Sequence, residues 1–141
     1  MAFRVLIVGG RGFTDYPCLR ATLDVLLANR LPNVELLTTG GPGVAMLAAS
    51  YASERGLVVS ALVPDFRRFP VDAVERRDAF LVSEADAAVV VWDGRDPTVR
   101  RLSELIERRG MHVHVIGATP KNRTPGRVRD PDPPARRGLP D

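Results

Sequence analysis

Short runs of continuous apolar residues alternate along this chain with longer stretches whose apolar positions recur at helical spacing. The first run, Phe3 to Val8, is broken only by Arg4, the pattern of a strand covered on both faces. Asp15 is placed to cap the next element, with Pro17 in its first turn and Leu19, Leu23, Leu26 and Leu27 on one helical face. Leu31-Pro32-Asn33 breaks that helix, and Val34 to Thr38 reads as the second strand. Val44 to Arg55 predicts a helix rich in small residues, with Gly56 at the position that follows a helix end. Val58 to Val63 predicts a third strand, and residues 64–70 a loop carrying Asp65, Phe66, Arg67, Arg68 and Phe69. Asp72 to Glu84 predicts a third helix, its inward positions drawn from Val74, Ala79 or Phe80, Leu81 and Val82. Ala87 to Trp92 reads as a deeply buried strand. Thr98 to Arg109 follows as a helix with Leu102, Leu105 and Ile106 inward, then His112 to Ile116 as a last strand. Five strands alternating with four helices predict an α/β fold, a Rossmann-like, doubly wound and mainly parallel sheet.

The chemistry concentrates where two of these strands end. Gly9-Gly10-Arg11-Gly12 follows the first, and Thr38-Thr39-Gly40-Gly41-Pro42-Gly43 closes the second. Glycine lets a backbone approach a ligand closely, and the amides that open a helix are unpaired donors at its positive end. Two such turns at neighbouring strand ends would cradle a phosphate or another anion. The glycine spacing differs from the dinucleotide fingerprint, and the single lysine, Lys121, lies too far along to serve a Walker A loop. Ordinary dehydrogenase and P-loop readings are therefore set aside.

Composition narrows the setting. The 141 residues suffice for one domain, and no apolar stretch approaches the roughly 18 residues needed to span a bilayer. One cysteine, Cys18, excludes an intramolecular disulfide framework and, with no recognisable signal peptide, suggests a cytoplasmic protein. The net charge of +3 belongs to residues 118–141, where six basic side chains face three acidic ones among six prolines. Residues 1–117 are charge-balanced and read as the folded unit; residues 118–141 read as a disordered tail. Nucleic-acid binding is thus expected only through the tail, and membrane association is not expected. His112 and His114 share one strand face but have no further ligand at metal spacing, so no metal is expected. No cofactor is called for either.

Gly9-Gly10-Arg11-Gly12-Phe13-Thr14-Asp15, Gly40-Gly41-Pro42-Gly43, Arg77-Asp78 ahead of Ala85-Asp86-Ala87, and Trp92-Asp93-Gly94 occur in that order. With them the chain resembles the YspA-like (YpsA-related) branch of the SLOG superfamily, which also holds the SMF/DprA proteins and the LOG phosphoribohydrolases. The resemblance covers about residues 3–117. It implies a Rossmann-like sheet and a nucleotide or nucleotide derivative as ligand, such as a nucleoside phosphate or an ADP-ribose or NAD-type molecule. This chain departs from the branch at Ala45, where an acidic residue is usual, at Asp78, where asparagine is usual, and at Pro97-Thr98 in place of Gly-Thr. The LOG-type Pro-Gly-Gly-x-Gly-Thr-x-x-Glu motif is absent.

The residues then divide into roles. Gly9, Gly10, Gly12, Gly40, Gly41, Gly43 and Gly94 would admit the ligand's backbone contacts. Arg11 and Arg77 would neutralise phosphate, and Thr38 or Thr39 would hydrogen-bond it or cap their own turn. Trp92 would stack on a base or complete the core, with Phe66 as a second candidate cover. Asp78 is expected in a surface ion pair. Asp93 and Glu104 are the candidate catalytic carboxylates for a phosphoribohydrolase-like cleavage of an N-glycosidic bond, which needs a placed acid or base. Whether any reaction is catalysed stays open at this stage. A homodimer through the second helix and the Phe66–Phe69 loop is the expected assembly.

Overall fold

The computed structural model describes residues 2–92 and 94–117. Within them the order is β1 (Phe3–Gly9), α1 (Tyr16–Leu26), β2 (Val34–Thr38), α2 (Val44–Arg55) and β3 (Val58–Ala61). It continues with α3 (Ala73–Glu84), β4 (Ala87–Trp92), α4 (Pro97–Arg109) and β5 (His112–Gly117). The strands form one sheet in the order β3-β2-β1-β4-β5. Every pairing is parallel. The fold is a five-stranded, doubly wound, Rossmann-like α/β sheet, all rather than mainly parallel.

The apolar runs explain the layering. Val5, Leu6, Ile7 and Val8 of β1 and Ala87 through Val91 of β4 are all buried, because helices cover both faces of the sheet's centre. Val5, Ile7, Leu36, Val89 and Val91 face Leu19, Leu23 and Leu27 of the α1 region and Val44, Ala48 and Ala52 of α2. Leu6, Val8, Leu37, Ala88 and Val90 face Leu81 and Val82 of α3 and Val99, Leu102 and Ile106 of α4. The alternation of neighbouring residues between two cores follows from the two-residue period of a strand.

The helix signals hold with one instructive exception. Asp15 caps α1 by accepting from the Cys18 amide at 3.1 Å, and Gly56 and Gly110 close α2 and α4 in the left-handed conformation. On α3, however, Ala79 and Phe80 are exposed, and Asp78, expected at the surface, is buried. Positions 78, 81 and 82 fall on the regular inward stripe of that helix, so spacing overrode apolarity. The third strand ends at Ala61, two residues earlier than its apolar run.

One side-chain network ties α1 to α2. Tyr51, fully buried, donates its hydroxyl to Asp24 Oδ1 at 2.7 Å, and Arg55 donates to both Asp24 oxygens at 3.0 and 2.7 Å. The Arg55 fork and the Tyr51 hydroxyl hold the Asp24 carboxyl down at about 2. Burial and the neighbouring carboxylate push the Tyr51 phenol up to about 12. A depressed carboxylate stabilises the fold fully above its unfolded pKa and loses that contribution as pH falls through the folded value. Stability should therefore decline as pH falls from near 4 towards 2. Raised Tyr51 adds a second decline between about 10 and 12. Melting temperatures across that range should show both limbs, and Asp24→Asn should lower the melting temperature at neutral pH while flattening the acid limb. An Asp24→Asn protein with the wild-type acid profile would refute the assignment.

Candidate functional site at the strand ends

Because all strands run the same way, the turns after β1, β2 and β4 share one edge of the sheet. The chain winds outward from β1 to β2 and β3, then returns to β4 on the other side of β1. That reversal leaves a crevice at the C-terminal ends of β1 and β4, where open α/β sheets bind ligands. Gly9 pairs with Val91 there, so Gly10, Trp92 and Gly94 border it.

The two glycine turns meet at this edge. A Cβ on Gly43 would collide with the Gly10 carbonyl and stand 2.5 Å from Arg11 Cα, and Gly43 itself has φ +81°. Only glycine satisfies both conditions at once. The Val44 amide donates to the Gly10 carbonyl at 3.3 Å, which fastens the start of α2 onto the first turn. Gly9 is constrained by side-chain packing instead, since a Cβ would collide with Val44 Cγ2 and lie 2.9 Å from Val91 Cβ. By contrast, a methyl group on Gly12 or Gly41 would have nothing within 4 Å, so their open side faces solvent.

Electrostatics at this edge are uneven. Among the described residues no side chain caps the start of α2, whose N-cap residue is Gly43, so none of their side-chain oxygens answers the positive end of that helix. Arg11 is exposed beside it, and no carboxylate among the described residues pairs with it. At α4 the situation is opposite. Asp96 Oδ1 accepts from the amides of Thr98 at 2.9 Å and Val99 at 3.4 Å, and Oδ2 lies 3.3 Å from where a Gly10 Cβ would be. Sequence reading overlooked Asp96, although an aspartate directly before Pro97 is a helix-start signal.

The remaining candidates are placed as follows. Thr38 is buried and its hydroxyl accepts from the Gly40 amide at 3.2 Å, while the half-buried Thr39 hydroxyl makes a long 3.5 Å contact to the Gly40 carbonyl. Both threonines thus serve their own turn. Arg77, with 9% of its side chain exposed, is turned inward. Its Nε donates to Asp78 at 2.7 Å and its Nη1 to the Leu62 carbonyl at 3.2 Å. Trp92 packs on the α3/α4 core and also carries the Arg100 guanidinium 5.6 Å from its ring centroid. Gly94 is exposed with φ +84°. Glu104 is exposed on α4 and lines a shallow surface depression with Glu107 and Arg108. Asp93 and residues 118–141 lie outside the described residues, as do the readings that depended on them. Phe66 and Met46 are exposed on the loop after β3 and on α2, the two segments expected to pair copies of the chain. Among the described residues no group of His, Cys, Asp or Glu is arranged to hold a metal ion, and no helix is long and apolar enough to cross a membrane.

The doubly wound sheet with paired glycine turns at its reversal point defines a Rossmann-like α/β protein. Residues 3–69, just under half of the chain, match the family described as "YspA, cpYpsA-related SLOG family", which supports a YspA-like SLOG assignment. The matched segment contains both glycine turns. The X-ray structure of TM1055, a structural-genomics target, superposes with a TM-score of 0.58 at 20% identity, covering 79% of this chain and 72% of that one. At that identity the likeness concerns the fold. No curated protein sequence matches the chain.

The glycine geometry separates packed from open positions. Gly9→Ala and Gly43→Ala should each cost about 1–3 kcal/mol of stability through forced overpacking. Gly12→Ala should stay within about 0.5 kcal/mol of wild type. Denaturant unfolding of the three variants measures this directly, and equal costs at Gly9 and Gly12 would contradict the packing around them.

Proposed function

We propose that this protein binds a nucleotide or nucleotide derivative, such as a nucleoside phosphate or an ADP-ribose or NAD-type molecule, at the C-terminal edge of its sheet. The observation that carries the reading is the seating of Gly43 against Gly10 and Arg11, which brings two glycine turns and the uncapped start of α2 together. A phosphate laid there receives backbone amides, the positive end of the α2 dipole and the Arg11 guanidinium. The match of residues 3–69 to the SLOG family supports a nucleotide-related role in general. Trp92, at the other side of the crevice, offers part of an aromatic face already used by Arg100. In this reading the protein is a binder or sensor. Glu104 stands among surface charges on α4 and is given no part in it.

Calorimetric titration of the full chain with AMP, ADP, ADP-ribose and NAD tests the proposal. At least one should bind, and Arg11→Ala should weaken it by about tenfold, the loss of roughly 1.4 kcal/mol expected for one charge-assisted contact. Gly12→Val should abolish binding while leaving the melting temperature nearly unchanged. Absence of heat with every nucleotide in the panel would overturn the reading.

A further inference from the structure

Asp78 is a buried charge that the glycine crevice does not use. It is 1% exposed in the middle of α3, and its Oδ2 has no hydrogen-bond partner. Arg101 Nη2 stands 3.7 Å from that oxygen on a side chain that is 45% exposed, which is an ion pair without a hydrogen bond. The firm contact is on the other side, where Oδ1 accepts from Arg77 Nε at 2.7 Å. A buried carboxylate is tolerated only with a fixed counter-charge, so Asp78 fixes the plane and direction of the Arg77 guanidinium.

What that guanidinium holds gives the pair its meaning. Arg77 Nη1 donates to the carbonyl of Leu62, the first residue past the end of β3, at 3.2 Å. The Leu62 amide in turn donates to the Thr38 carbonyl at 2.9 Å, at the end of β2. The Thr38 hydroxyl then receives the Gly40 amide at 3.2 Å. Val63 Cγ1 lies 3.6 Å from where a Gly40 Cβ would be, so the same short segment also flanks the second glycine turn. An uninterrupted line of hydrogen bonds therefore runs from the buried carboxylate of α3 to the backbone of residues 38–40.

We propose that Arg77 and Asp78 form a positioning pair that fixes the second glycine turn by pinning Leu62 beside Thr38. Arg77 acts on the cradle through Leu62 and Thr38. Its functional consequence rests on the reading of the glycine turns as a ligand cradle, but the positioning itself is independent of any ligand. A lysine at position 77 keeps the charge but lacks the planar fork that spans Asp78 and Leu62 at once. Asparagine at position 78 keeps the shape and loses the charge.

Residue-resolved amide hydrogen exchange on the ligand-free full chain tests this. Arg77→Lys and Asp78→Asn should each speed exchange of the Leu62 and Gly40 amides at least tenfold, while the Leu6 and Val89 amides keep wild-type rates. Arg101→Ala, which removes only the looser partner, should leave Leu62 and Gly40 within about twofold of wild type. If Asp78→Asn fails to fold, Arg77→Lys gives the reading alone. Unchanged exchange at Leu62 and Gly40 in folded variants would overturn the proposal. So would a uniform rise that includes Leu6 and Val89, or unfolding of both variants, since either would make the pair a general stabiliser. Failure of every nucleotide to bind wild-type protein would remove the cradle reading and leave these exchange outcomes as informative as before.

Discussion

The glycine-turn edge of the sheet depends on one backbone-to-backbone contact, the seating of Gly43 on Gly10 and Arg11. Two chain segments more than thirty residues apart come so close that position 43 has no room for a side chain against the backbone of Gly10 and Arg11. The contact sets where α2 begins, and the Val44 amide bound to the Gly10 carbonyl locks its first turn onto the end of β1. From the same contact follow the open sides of Gly12 and Gly41 and the place of the exposed Arg11 beside the helix start. Two loops thereby become one surface, while β1 and β2 supply a rigid, buried base beneath them.

Much of this was legible in the amino acids. The apolar runs of β1 and β4 announced strands buried on both faces, and α2 and β2 fell on the residues their patterns predicted. The glycine turns stood out in the sequence, the structure brings them together, and the family match contains both. What composition concealed was which polar groups turn inward. Asp78 looked like half of a surface pair because a charged residue is costly in a core; its position on the inward stripe with 81 and 82 was the stronger signal. The threonines after β2 were equally eligible as ligand contacts or as turn supports, and only the distance between Thr38 and the Gly40 amide shows the bond they make within the turn.

Two aspartates show how the same side chain does different work on the two faces of the sheet. Asp24 joins α1 to α2 at a partly exposed seam, where Tyr51 and Arg55 saturate both of its oxygens. Asp78 lies inside the α3 face with one oxygen saturated and the other only loosely countered by Arg101. The first arrangement ties helices to each other and carries a pH dependence. The second reaches past its own helix to a strand end, because its arginine has a second donor to spend on a carbonyl.

The aspartate ahead of Pro97 has a consequence for how any guest must lie. Its carboxylate occupies the start of α4 on one flank of the crevice, whereas the start of α2 on the other flank is left to backbone amides alone. Under the proposed binding reading, the two flanks differ: the start of α4 already holds a carboxylate against its amides, whereas the start of α2 offers its amides to an anion. A molecule with one anionic end and one end rich in hydroxyl donors would find a single favourable heading, and its mirror-reversed docking would set two negative groups against each other.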